Sequence, residues 1–128
     1  MISIFTWKLK YNDKMKVKYS IISEAGRRSN NEDYVRVIDK PNESRWFGTV
    51  CDGLGAHSMG LEASETVCNA VCDYWNSAND DDLVVKARRA CHFASVKLDE
   101  RASGMNRVQM GTTLVMAGID GNTIIKPH

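Results

Sequence analysis

The chain predicts an α+β layered sandwich, on three observations. Strand-like segments separated by short polar turns come first, two long amphipathic stretches follow, and a hairpin signal comes last. Strands grouped before helices, not alternating with them, favour an antiparallel sheet with a helix pair over a βαβ arrangement.

Each element has a local reason. Residues 1–14 read as an irregular lead-in, and Met15, which opens "MKVKYSIIS", is a candidate start. Val17–Ser23 alternates as a strand, and residues 24–33, "EAGRRSNNED", are polar and rich in turn formers, so they read as a loop. "YVRVI" at 34–38 is a second strand, "DKPNES" at 39–44 a hairpin loop, and "RWFGTVC" at 45–51 a third strand. From Gly60 the period changes. Ala63, Val67, Ala70, Val71, Tyr74 and Trp75 recur at helical spacing and make one apolar face. "NSANDDD" at 76–82 breaks that helix and offers Asp or Asn as the next N-cap. Leu83, Val84, Ala87, Ala90, Cys91, Ala94 and Leu98 mark a second helix that ends near Gly104. "TTLVMAGI" at 112–119 is a fourth strand, Asp120-Gly121 a two-residue hairpin signal, and "NTII" at 122–125 the start of the returning strand.

Composition bounds the function. The 128 residues amount to about one domain, with 43% hydrophobic and 26% charged residues, an ordinary globular balance. A formal net charge of +1 gives no electrostatic case for nucleic acid or an anionic membrane as partner. No segment has the form of a signal peptide, and no window approaches the roughly eighteen apolar residues of a membrane span, so the expected location is cytoplasmic. Of the four cysteines, Cys68 and Cys72 share a helix face, but no Cys/His cluster completes a soft-metal site. All four read as small thiols and not as a disulfide framework.

Three polar clusters fall at strand ends: Arg28 with Glu32 and Asp33, then Asp52 with Gly53, then "MGTTL" at 110–114. In an antiparallel sheet the loop before one strand meets the end of its neighbour, which would gather Glu32, Asp33 and Asp52. Carboxylates gathered in this way repel unless a cation lies among them, and hard ions such as Mg²⁺ or Mn²⁺ take such oxygen donors. Gly53 permits a sharp turn and offers its carbonyl, and Arg28 supplies a fork matched to phosphate oxygens. Taken singly each piece is ordinary: Asp-Gly is a turn, "NNED" a solvated loop, Arg28 a surface charge and His57 a structural histidine. Their combination and order point to phosphoryl chemistry.

"GRRSNNED", "VCDGLGAHSMGLEAS" and "MGTTLV" resemble the first three signature blocks of the metal-dependent PP2C-type (PPM) protein serine/threonine phosphatases, the bacterial branch above all. The resemblance covers about residues 17–125, in the family's order. It implies an α-β-β-α sandwich, antiparallel sheets flanked by helix pairs, with two Mn²⁺ or Mg²⁺ ions between the sheets. It further implies that Asp52 bridges both metals, that the Gly53 carbonyl binds one, that Glu32 and Asp33 act through metal-bound waters, and that Arg28 binds phosphate. Leu54 stands where some eukaryotic members carry a histidine proposed as general acid. Gly111, Thr112 and Thr113 match a block without assigned chemistry.

The implied activity is hydrolysis of phosphoserine and phosphothreonine in proteins by a metal-activated water, with a phosphoprotein as partner and no covalent phosphoenzyme. Further metal-binding aspartates of the family lie beyond the point where this chain ends. Residues 15–128 therefore read as the N-terminal part of such a domain, an incomplete sandwich whose activity alone is in doubt. The alternative is a non-catalytic fragment serving as an interaction or regulatory module. An uncovered apolar sheet favours self-association.

Overall fold

A computed structural model describes residues 2–11, 14–27, 30–56, 58–80, 82–121 and 123–125, and for 2–11, 14–16, 123 and 125 the backbone alone. In place of the irregular lead-in expected over 1–14, Ile2–Tyr11 (β1) forms a regular strand paired antiparallel with Lys14–Ser23 (β2). The reason lies in the segment itself: Phe5, Trp7, Leu9 and Tyr11 alternate with Thr6, Lys8 and Lys10, a strand period carried by β-favouring residues.

Asp33–Lys40 (β3) and Arg45–Gly55 (β4) are antiparallel neighbours joined by a short 3₁₀ turn, Pro41–Glu43. Met59–Ser77 (α1) and Leu83–Gly104 (α2) follow, then Met110–Thr112 (β5), Val115–Asp120 (β6) and Thr123–Ile125 (β7). The main sheet runs β3-β4-β6-β7, with β5 also paired to β4; β1 and β2 form a separate two-stranded sheet. This is the expected α+β class.

The expected fourth strand is broken in two, although its register against β4 is continuous, from Gly53 opposite Thr112 to Val50 opposite Val115. The last turn is also displaced by one residue. Asp120 pairs with Thr123, so the turn opens at Gly121, which takes a positive φ of 59°.

The core lies between β4 and the helices. Odd-numbered residues of β4 point to α1: Phe47 stacks on Trp75 with ring centroids 4.4 Å apart, and Cys51 is fully buried. Val67, Cys68, Ala70, Val71 and Cys72 answer from α1, the face predicted from spacing. Asp82 caps α2, its carboxylate accepting from the amides of Val84 (2.8 Å) and Val85 (3.2 Å). α2 packs chiefly on α1 along a narrow seam of Ala90 and Ala94, and Val84 and Cys91, among the apolar residues that mark the helix in sequence, are exposed.

All four cysteines are free, and three sit in the core as small thiols. Hydrogen bonds to Cys51 and Cys72, added to burial, push the Cys68 thiol well above its ordinary pKa, so it stays protonated.

By strand alternation, Val35, Trp46, Val50, Asp52, Leu54, Val115 and Ile124 lie on the face of the sheet away from the helices. Trp46 is covered by Tyr19 of β2, with ring centroids 5.9 Å apart, but Leu54, Val115 and Ile124 remain exposed.

Candidate metal centre

The site is built where β4 ends. Antiparallel register sets Asp33, the first residue of β3, directly opposite Asp52. Opposed residues share a sheet face, so both carboxylates emerge on the helix-free side, with Asp52 exposed. Like charges so placed repel, and a cation between them removes the cost.

The backbone of Asp52 is held from the next strand. Its amide donates to Thr113 Oγ1 at 3.1 Å, and its carbonyl accepts from the Thr113 amide at 2.9 Å and from Thr112 Oγ1 at 3.1 Å. The Thr113 hydroxyl thus takes the place of the carbonyl that a regular ladder would use, which accounts for the break between β5 and β6 at this point. The block that sequence left without chemistry fixes the principal acidic residue.

Gly53 and Gly60 bring β4 and α1 into backbone contact. A Cβ on Gly53 would overlap the Gly60 carbonyl, so no side chain fits at this approach. A Cβ on Gly60 would lie 2.5 Å from Glu32 Oε2, which places the Glu32 carboxylate against the first turn of α1. That turn lacks a side-chain cap at Ser58, and a carboxylate there is favoured by the partial positive charge of the helix N-terminus. The Glu32 carbonyl accepts from the Gly53 amide at 3.2 Å and from Ser64 Oγ at 2.6 Å. Upstream, the Asp33 amide donates to Asn31 Oδ1 at 3.2 Å, an Asx turn into the strand.

The structure therefore joins Asp52, Asp33, Gly53 and the Glu32 backbone, while the Glu32 carboxylate turns towards α1. Among the described residues no group of three or more His, Cys, Asp or Glu side chains gathers to hold a metal. Arg28 and His57 lie outside the described residues. Leu54, 63% exposed, shares the strand face of Asp52 two residues on, beside an open depression bounded by Gly55, Ala56, Gln109 and Met110. Cys51, with no exposure, points the other way.

A family model for protein phosphatase 2C matches residues 23–126, spanning the loop, the β4–α1 junction and the threonine pair. The chain belongs to the protein phosphatase 2C family. Its fold is similar to that of the catalytic domain of the serine threonine protein phosphatase PstP in complex with 2 manganese ions, with a TM-score of 0.64, 21% identity, and coverage of 97% of this chain and 45% of that one. It is likewise similar to the Mycobacterium tuberculosis serine/threonine phosphatase PstP/Ppp (TM-score 0.65, 20% identity, 97% and 44% covered). A third similar structure is the S. agalactiae serine/threonine phosphatase (TM-score 0.61, 22% identity, 97% and 46% covered). At such identities the likeness is one of fold. The chain spans less than half the length of these structures. No curated protein matches the chain in sequence.

In this protein phosphatase 2C chain the donor set suits a hard divalent ion: carboxylates and a backbone carbonyl, with no thiol on the same face. Two opposed carboxylates and one carbonyl are too few to fill six-coordination, so the fit is to part of a metal centre. Ser64, Gly60, Thr112 and Thr113 are the supporting residues that motif reading does not assign. Their partners lie 32 to 61 residues away for the hydroxyl contacts, beyond any local pattern. No helix among the described residues is long and apolar enough to cross a membrane.

Proposed function

We propose that this chain supplies the first half of the acidic site of a protein phosphatase 2C enzyme that hydrolyses phosphoserine and phosphothreonine esters in proteins. The observation that carries this reading is the Asp33–Asp52 pair, opposed on one sheet face at the glycine-lined junction of β4 and α1.

When bound, Mn²⁺ or Mg²⁺ supplies Lewis acidity and offsets the charge that develops on phosphoryl oxygens. This chain's residues do the rest. Asp52, through its carboxylate, and Gly53, through its carbonyl, would hold the ions, and Asp33 and Glu32 would accept hydrogen bonds from water at the site. Arg28 grips two phosphate oxygens and orients phosphorus for in-line attack by water. Leu54 carries no transferable proton, so the leaving alkoxide is protonated from water or another group. The buried Cys51, on the opposite face, takes no part as nucleophile.

The test is hydrolysis of an aryl phosphate and a phosphoserine peptide, with and without Mn²⁺, by this chain joined to the remainder of a phosphatase 2C domain. Mn²⁺-dependent turnover lost in Asp52→Asn supports the reading; metal-independent turnover overturns it. A second reading, a non-catalytic interaction module, is favoured by the exposed Leu54, Val115 and Ile124 on the helix-free face. Self-association of the chain through that face is its signature.

A further inference from the structure

Ser64 sits in the interior of α1 with no solvent exposure. Alanine there would suit the helix better and would bury no polar group, so helix formation does not explain the hydroxyl. A serine hydroxyl has one proton to give. Two carbonyls lie within reach: Leu61 O, one turn back on the same helix, at 3.1 Å, and Glu32 O, in the loop before β3, at 2.6 Å. The shorter contact is the one to the loop, not the local back-bond common to helical serines.

The Glu32 carbonyl also accepts the Gly53 amide, at 3.2 Å. Both lone pairs of one oxygen are thus used, and three segments converge on it: the acidic loop, the end of β4 and the first turns of α1. Asp33, the next residue, faces Asp52 across the ladder. Fixing the Glu32 peptide therefore fixes the origin of both acidic side chains relative to Asp52 and Gly53. Metal–oxygen sites tolerate displacements of only about 0.2 Å, and residues that hold ligands in place typically govern 10–100-fold in metal affinity.

We propose that Ser64 is a positioning residue of the acidic centre, holding Glu32 and Asp33 in register with Asp52 through its hydroxyl bond to the Glu32 carbonyl. The proposal rests on the metal-site reading above and adds a residue that touches neither metal nor phosphate.

A metal-free measurement separates the two. In the chain without divalent ions, amide hydrogen exchange at Gly53 should rise about tenfold or more in Ser64→Ala, because the shared acceptor is then held by one donor alone. Exchange at Val67 and Val71, farther along α1, should stay within about twofold, and Ser64→Thr, which restores the hydroxyl, should return Gly53 to the wild-type rate. In the chain joined to the rest of the domain, Mn²⁺ affinity read by the free-ion electron paramagnetic resonance signal should fall about tenfold in Ser64→Ala and recover in Ser64→Thr. Unchanged Gly53 exchange, or an equal rise along α1, overturns the proposal whatever the metal does. Wild-type protein that binds no Mn²⁺ overturns the metal reading instead. Should Ser64→Ala not fold, Ser64→Cys, close in size with a weak donor, carries the same comparison: faster exchange confined to Gly53 supports the proposal and wild-type exchange refutes it.

Discussion

Asp33 and Asp52 stand directly opposite one another across the β3–β4 ladder, on the sheet face without helices. An antiparallel pair of like charges costs about 0.2–1 kcal/mol relative to a neutral pair. The cation of the proposed site would remove that cost. Without divalent ions, Asp52→Asn should therefore stabilise the chain by about that amount at low ionic strength, with the gain shrinking as salt is added. Urea denaturation measures it. With the remainder of the domain attached, the same substitution should nearly abolish Mn²⁺-dependent turnover. Stability gained and activity lost together mark a functional charge pair. A destabilised Asp52→Asn protein would contradict it.

Arg28 is assigned from the sequence pattern alone. If its planar fork grips two phosphate oxygens, Arg28→Lys in an active full-length form should raise KM several-fold, since an ammonium is a point donor. Steady-state kinetics on a phosphoserine peptide is the check. Unaltered KM and kcat would remove Arg28 from the site.

Gly60 sets helix propensity against packing. Gly60 lies in the first turn of α1, where Ala is favoured over Gly by at most about 1 kcal/mol. Here the added Cβ would lie 2.5 Å from Glu32 Oε2 and 2.9 Å from the Gly53 carbonyl carbon, and backbone cannot swing aside as a side-chain tip can. Overpacking of this kind costs about 1–3 kcal/mol, so packing wins. Gly60→Ala should lower stability in thermal melts and weaken Mn²⁺ binding through displacement of Glu32. A stabilised variant would show that the junction is looser than the structure has it.

What the sequence made legible follows from the range of each interaction. The α1 face from Ala63 to Trp75, the Asp82 cap and the glycines beside Asp52 are local patterns, and each is found where spacing puts it. Contacts that span the fold leave no such mark. The bonds of Thr113 to Asp52 and of Ser64 to Glu32 join residues 61 and 32 positions apart, and so only the folded chain reveals what these hydroxyls do. The same holds for the broken fourth strand, whose interruption is set by Thr113 bonding across to Asp52. The β1 strand differs in kind. Its alternation is plain in "FTWKLKY", but it lies ahead of Met15, in a segment read as lead-in. On α2, apolar residues such as Val84 and Cys91 mark the helix in sequence, yet among the described residues it packs chiefly on α1 and leaves these two exposed.

The helix-free face yields the last expectation. Leu54 is 63% exposed, Val115 48% and Ile124 45%, three apolar side chains displayed on one sheet face. Asp52 and the Gly53 carbonyl give a hard cation too few direct ligands for tight binding. The 128-residue chain alone should thus bind Mn²⁺ weakly, turn over aryl phosphate little or not at all, and bury the exposed face against a second copy. Calorimetry and an aryl phosphate assay read the first two, and light scattering over a range of concentrations reads the third. Ile124→Lys places a charge on the same face, in register with Trp46 and so six residues along β4 from Asp52, and should shift the chain to monomer with the β4–α1 core unaltered. Micromolar Mn²⁺ affinity with robust turnover would refute the ligand count. A wild-type chain that stays monomeric at all concentrations would refute the pairing of faces.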